Sequence, residues 1–63
     1  MEKRTVVCIS IRESMPEQIK VDEKYKIDFE RAYGDHDGDW YVPVYDMNGT
    51  YISDLKLSHF RDL

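Results

Sequence analysis

Apolar and polar residues alternate with a period of two along most of the chain, a spacing that predicts strands and not helices. The clearest case is Lys24 to Glu30, where Tyr25, Ile27 and Phe29 alternate with Lys24, Lys26, Asp28 and Glu30. Thr5 to Ile11 alternates too, with Val7, Ile9 and Ile11 on one face and Val6, Cys8 and Ser10 on the other. The first set is the more apolar and is expected to face inward. From Asp39 to Asp54 the chain reads DWYVPVYDMNGTYISD, two runs rich in aromatic and β-branched residues around Asp46-Met47-Asn48-Gly49. That pattern predicts an antiparallel hairpin, the segment around which the rest is organised.

Two closures of this hairpin are available. A two-residue loop at Asn48-Gly49 sets Val44 opposite Ser53, Val42 opposite Leu55 and Tyr45 opposite Ile52, mixing aliphatic and polar side chains on each face. A type I turn opened by Asp46, with Gly49 in the left-handed position of a bulge, pairs Val44 with Ile52 and Tyr45 with Tyr51. The second register is preferred because it segregates the faces: Trp40, Val42, Val44 and Ile52 on one, Tyr41, Tyr45, Tyr51 and Ser53 on the other. Pro43 has no N–H to give a ladder, so its strand is expected to be an edge or bulged there.

The remaining segments are shorter. Met1 to Arg4 is a polar lead-in, and Arg12 to Asp22 is a long loop with one helical turn from Pro16 to Ile19. Arg31 to Gly38 is a turn rich in glycine and aspartate. The closing LKLSHFRDL predicts one tight turn around Leu57-Ser58-His59 leading to Phe60, with Leu55, Leu57 and Phe60 plugging the end of the core. Together these predict an all-β fold: a small, strongly bent antiparallel sheet or partly open barrel of about five short strands with a terminal 3-10 turn. The expected core is Val7, Ile9, Ile11, Tyr25, Ile27, Phe29, Trp40, Val42, Val44, Ile52, Leu57 and Phe60.

Composition narrows the functions. Sixty-three residues, 1–63, make a single domain; a chain of that size buries only about 60% of its unfolded surface. It lacks room for the enclosed pocket of roughly 300 Å³ or more that catalysis usually occupies, so the chain is expected not to be an enzyme. One cysteine, Cys8, permits no internal disulfide and points to the reducing cytoplasm. No run approaches the ~20 apolar residues of a membrane span, and MEKRTVVCIS lacks a signal-peptide hydrophobic region. A net charge of −4 makes nucleic acid an unlikely partner.

The order of residues resembles a family of small SH3-like barrel proteins common in phage and prophage regions of Gram-positive bacteria. The likeness runs through Val6 to Ile9 (VVCI), Val21 to Ile27 (VDEKYKI), Tyr41 to Gly49 (YVPVYDMNG) and Leu57-Ser58-His59-Phe60. It implies an SH3-like barrel and a phage-like origin. The family usually carries glycine where this chain has Asp22. The string Tyr41 to Tyr45 also resembles the aromatic groove of eukaryotic signalling SH3 domains, but Arg12 to Asp22 lacks their acidic and aromatic loop pattern.

The leading candidate site is a protein-binding face of Tyr41, Tyr45 and Tyr51, extended by Tyr33 or Met47, since aromatic residues concentrate at interface centres. The competing reading is that these tyrosines only brace the hairpin or lie under the long loop. Asp28, Glu30, Asp35, Asp37 and Asp39 form an alternative acidic surface, able to mimic a phosphate backbone, but with Arg31 within the stretch an ordinary solvated face is the preferred reading. Lys20, Lys24, Lys26 and Lys56 offer a nucleic-acid strip, diluted by the acids between them. Asp35, Asp37, Asp39 and Asp46 match some positions of a calcium loop, yet Trp40 stands where its glycine belongs. His36, His59 and Cys8 do not make a zinc set. No metal or cofactor is therefore expected, and no nucleophile motif or phosphate loop is present. The reading that emerges is a cytoplasmic, phage-encoded interaction module, a monomer or weak homodimer through an edge near Pro43, that binds a bacterial host protein as inhibitor or adaptor. The rivals are a nucleic-acid-binding barrel using Lys24 and Lys26, and an acidic nucleic-acid mimic.

Overall fold

The computed structural model describes residues 3–63. Six strands form one antiparallel sheet: β1 Arg4–Cys8, β2 Lys24–Ile27, β3 Tyr33–Gly34, β4 Trp40–Tyr45, β5 Tyr51–Lys56 and β6 Phe60–Asp62. Two 3-10 turns, Phe29–Arg31 and Leu57–His59, are the only helical segments among the described residues. The fold is all-β and small. The sheet runs β4-β2-β1-β6, with β5 and β3 also on β4, and its ends do not pair with each other among the described residues. No helix there is long and apolar enough to cross a membrane.

β4 is the axis of the sheet. β5 pairs along one edge, from Tyr41 to Tyr45, while β2 and β3 share the other, β2 at Val44 and Tyr45 and β3 at Trp40 and Tyr41. Pro43 therefore sits in a central strand and not at an edge of the sheet. The proline is tolerated because the 3-10 turn Phe29–Arg31 interrupts the β2/β3 edge opposite it. Its carbonyl accepts from Asp28 N–H at 3.4 Å, and in extended backbone the missing N–H faces the same gap, where no ladder acceptor waits.

One turn recurs on both sides of β4. Asp46 N–H donates to Thr50 O at 2.9 Å, Gly49 N–H to Asp46 O at 3.0 Å, and Gly49 has φ 90. Asp35 N–H donates to Asp39 O at 2.9 Å, Gly38 N–H to Asp35 O at 3.3 Å, and Gly38 has φ 84. Each is a type I turn closed by a left-handed glycine, and each opening aspartate accepts the N–H two residues on. Arg31 to Gly38, predicted as a simple turn, thus supplies the first strand and the loop of a second hairpin, β3 with β4.

The preferred hairpin register holds only next to the turn. Tyr45 faces Tyr51, but Val44 faces Ser53 and Val42 faces Leu55, because Ile52 is an extra residue at a bulge. Beyond it the faces of β5 exchange: Ser53 and Leu55 turn toward Val44 and Val42, while Asp54 and Lys56 join the tyrosine side.

The core is Val6, Cys8, Ile19, Tyr25, Ile27, Val42, Val44, Leu55 and Phe60, with Ile52 and Leu57 packed at its margin. Five expected members lie outside it, four of them exposed. Ile9 (46% exposed) and Ile11 (52%) follow the end of β1, which stops at Cys8, so Val6 and Cys8 supply the inward face instead. β1 lies between β2 and β6, and Val7 is buried on its other side. Phe29 is exposed because Asp28 caps the 3-10 turn through Glu30 N–H and ends β2 at Ile27, three residues short of the expected Glu30. Trp40, at the mouth of β4, is 56% exposed. The loop contributes Ile19, held by a turn in which Ile19 N–H donates to Pro16 O at 3.0 Å. Tyr25 pins that loop from the core: its hydroxyl donates to Gln18 O and accepts from Lys20 N–H, both at 2.8 Å.

Candidate functional site

The alternation of β4 sends Tyr41, Pro43 and Tyr45 to the side opposite Val42 and Val44. β3 then brings Tyr33 beside Tyr41, and the bulged β5 brings Tyr51 beside Tyr45 and Asp54 beside Pro43. Tyr33 and Tyr41 stack with ring centroids 5.7 Å apart and planes 13° from parallel. Tyr45 and Tyr51 meet edge to face at 5.6 Å and 70°. Between the two pairs, Asp54 accepts the Tyr33 hydroxyl at Oδ2 (3.0 Å) and the Tyr51 hydroxyl at Oδ1 (2.8 Å). These bonds hold both phenols above their usual pKa, because losing either proton would set a phenolate against the carboxylate.

The three tyrosines singled out from sequence, Tyr41, Tyr45 and Tyr51, therefore occupy one outer face. Tyr51 is 53% exposed, Tyr33 47%, and Tyr41 and Tyr45 are half-buried against the sheet. Tyr41 lies beside the long loop, lining a cleft with Arg12, Ser14, Met15 and Pro16. Ser53, expected among the tyrosines, is on the core side, and Asp54 takes its place through the bulge. Counting outward from Asp35-His36-Asp37-Gly38 as a second hairpin would have set Tyr33 against Tyr41. The position of Asp54 had no such signal.

Lysines border the face. Lys3 Nζ lies 4.5 Å from the Tyr45 ring centroid, and Lys26 is the cross-strand neighbour of Tyr45. Lys56, opposite Tyr41, pairs with Asp39 at 3.1 Å, which raises its pKa. That pairing parts Lys56 from Lys24 and Lys26 on β2 and breaks the expected basic strip.

Next to Tyr41 a cleft of ≈ 290 Å³ opens between β5 and the loop segment carrying Arg12, Ser14, Met15 and Pro16, with His59 in its wall. His59 is buried, its Nδ1 sharing a 2.8 Å hydrogen bond with Ser10 Oγ. Burial, followed by Arg12 and Lys56 nearby, pushes its pKa down, so the ring is neutral at pH 7.

Comparison with protein-family profiles, with curated proteins and with solved structures found no match.

The acidic residues do not form one free surface. Asp28 caps the 3-10 turn and pairs with Arg31 at 3.5 Å, Asp35 closes its hairpin loop, and Asp39 holds Lys56. Glu30 and Asp37 are left exposed without such partners among the described residues. There, no three His, Cys, Asp or Glu side chains gather as a metal site requires. Cys8 is fully buried, its thiol donating to Ser10 O at 3.2 Å, and burial pushes its pKa up. It is therefore a packing residue, not a reactive one.

Proposed function

We propose that the chain is an SH3-like interaction module of phage origin that acts in the cytoplasm and binds a bacterial host protein through the face of Tyr33, Tyr41, Tyr45 and Tyr51. The SH3-like reading draws on the chain order: a long loop after β1, a 3-10 turn before β6, and β6 returning to pair with β1. The phage origin draws on the sequence resemblance alone. Binding without chemistry of its own is in keeping with a site built of phenols and one carboxylate, with the Tyr33 and Tyr51 hydroxyls both donating to Asp54.

The observation that carries the reading is the organisation of exposed tyrosines around Asp54. Tyrosines give large contact area while losing few rotamers on binding, and rings already stacked and tethered lose fewer still. A second reading, single-stranded nucleic acid stacked on the same rings, is favoured by Lys3 over Tyr45 and by Lys26 beside it. The net charge of −4 weighs against it.

Affinity capture from Gram-positive lysate at low and high salt, with wild type and the variant carrying alanine at Tyr41, Tyr45 and Tyr51, separates the two. The proposal expects a defined protein retained by wild type at both salt concentrations and lost by the variant, with far-UV circular dichroism and a cooperative unfolding transition confirming that the variant is folded. Recovery of nucleic acid alone, released by salt, would replace it with the second reading.

A further inference from the structure

The cleft beside Tyr41 differs from the tyrosine face in both geometry and charge. Four consecutive residues of β5, Ser53 to Lys56, line it. A sheet face presents every second residue of a strand, so a run of four means that the cleft follows the strand's edge. β5 pairs only with β4 among the described residues, so that edge is open. The opposite wall is the loop from Arg12 to Pro16.

The charges are unequal. Lys56 is already engaged by Asp39, and Asp54 already accepts two phenol protons. His59 shares its Nδ1 bond with Ser10. Arg12 lines the cleft, is exposed, and forms no ion pair among the described residues. One unpaired guanidinium beside an open strand edge suits a monoanionic carboxylate on an extended backbone better than a phosphate dianion.

We infer that this cleft receives an extended, acidic segment of the partner polypeptide, laid along the edge of β5 with one carboxylate against Arg12. The inference rests on the protein-binding reading above and adds the chemistry of what is bound. Main-chain hydrogen bonds to β5 supply affinity, and Arg12 selects an acidic side chain. The cleft adjoins the tyrosine face, with Tyr41 and Asp54 common to both.

The test is a titration of the full chain, followed by ¹⁵N nuclear magnetic resonance, with a six-residue peptide of alternating glutamate and valine. Its lysine counterpart and inorganic phosphate serve as further probes. The glutamate peptide is expected to give saturable shifts at the Arg12 Nε–Hε and at the amides of Ser53 to Lys56. Arg12→Gln should weaken it at least about tenfold, or 1.4 kcal/mol, and Arg12→Glu should transfer the preference to the lysine peptide. Arg12 is exposed, so unchanged spectra elsewhere will show both variants folded. Equal binding of the two peptides, no saturable shift at β5, or no effect of Arg12→Gln would overturn the inference. Phosphate reproducing the glutamate-peptide shifts at equal affinity would overturn it in favour of a simple anion site. The titration reads the cleft without the natural partner. Its failure therefore leaves the capture experiment on the tyrosine face standing, and loss of that result leaves the titration readable.

Discussion

Asp22 holds a backbone conformation that most L-residues avoid. Its φ is 70, it is the third residue of the turn in which Glu23 N–H donates to Lys20 O at 3.3 Å, and Val21 before it has no positive φ, so the turn is type II. Glycine is the usual occupant of such a position; aspartate is among the few others that tolerate it. The turn is also where the long loop closes, with Asp22 N–H on Cys8 O and Cys8 N–H on Glu23 O. Asp22→Gly should change stability by less than about 1 kcal/mol, whereas Asp22→Val, β-branched and without a local hydrogen bond, should lose about 1–2 kcal/mol. Urea midpoints at unchanged slope will read the difference. His59 sets a pH dependence at the same scale. Its folded pKa lies below the ordinary 6.5, so the unfolded chain takes up a proton that the folded chain refuses. Stability is therefore full above about pH 6.5 and falls as pH drops through the window between that value and the lowered folded one. Arg12 and Lys56, both cationic on that side, deepen the fall, and Ser10 opposes it. Unfolding free energy measured at about pH 7 and pH 5.5 should decline less in His59→Gln than in wild type, and an equal decline would move the effect to the carboxylates.

At the scale of elements, the two loops of the β3-β4-β5 meander are the same device with different strength. Asp46 Oδ1 accepts from both Asn48 N–H and Thr50 N–H at 2.9 Å, whereas Asp35 Oδ1 accepts, among the described residues, only from Asp37 N–H at 2.8 Å. At about 1 kcal/mol per hydrogen bond, Asp46→Ala should destabilise by about 2 kcal/mol and Asp35→Ala by about half that. Equal losses in chemical denaturation would show that the second bond to Asp46 adds nothing. The first of these loops was legible in the sequence because long alternating runs flank Asp46-Met47-Asn48-Gly49. Asp35-His36-Asp37-Gly38 has the same spacing but is flanked by the two-residue strand Tyr33–Gly34, too short to show a period. The extra residue Ile52 was not legible either, since a bulge depends on what the neighbouring strands pack against and not on local propensity. That residue decides the site: Tyr45 beside Tyr51 follows from the turn alone, but Asp54 reaches the tyrosines only because Ile52 shifts the faces of β5. Arg12 could not be placed, because its loop carries no periodicity at all.

At the scale of the whole molecule, the fold class followed from period-two patterning, while the division between inside and outside in β1 did not. Val7, Ile9 and Ile11 outnumber Val6 and Cys8 in apolar bulk, so alternation alone turns the wrong face inward. What settles it is topology: β1 ends at Cys8, where the backbone leaves the sheet and Ile9 N–H donates to His59 O at 2.7 Å. A chain of 63 residues has a stability of only about 3–9 kcal/mol at the usual 0.05–0.15 kcal/mol per residue, so misassigning one strand face changes which substitutions are lethal. Ile27 is fully buried, and Ile27→Ala should cost about 2–5 kcal/mol, enough to leave much of the population unfolded. Val6→Ala should be felt as well, at about 1–3 kcal/mol for a fully buried valine. Ile9→Ala and Ile11→Ala, by contrast, should each stay within about 0.5 kcal/mol of wild type, as exposed positions do. The four variants form one denaturation series, in which Val6 against Ile9 and Ile11 sets opposite expectations for the two faces of a single segment. If Ile9→Ala or Ile11→Ala proved as damaging as Val6→Ala, those isoleucines would be covered in solution, and a second copy of the chain docked on them would show as a stability that rises with protein concentration.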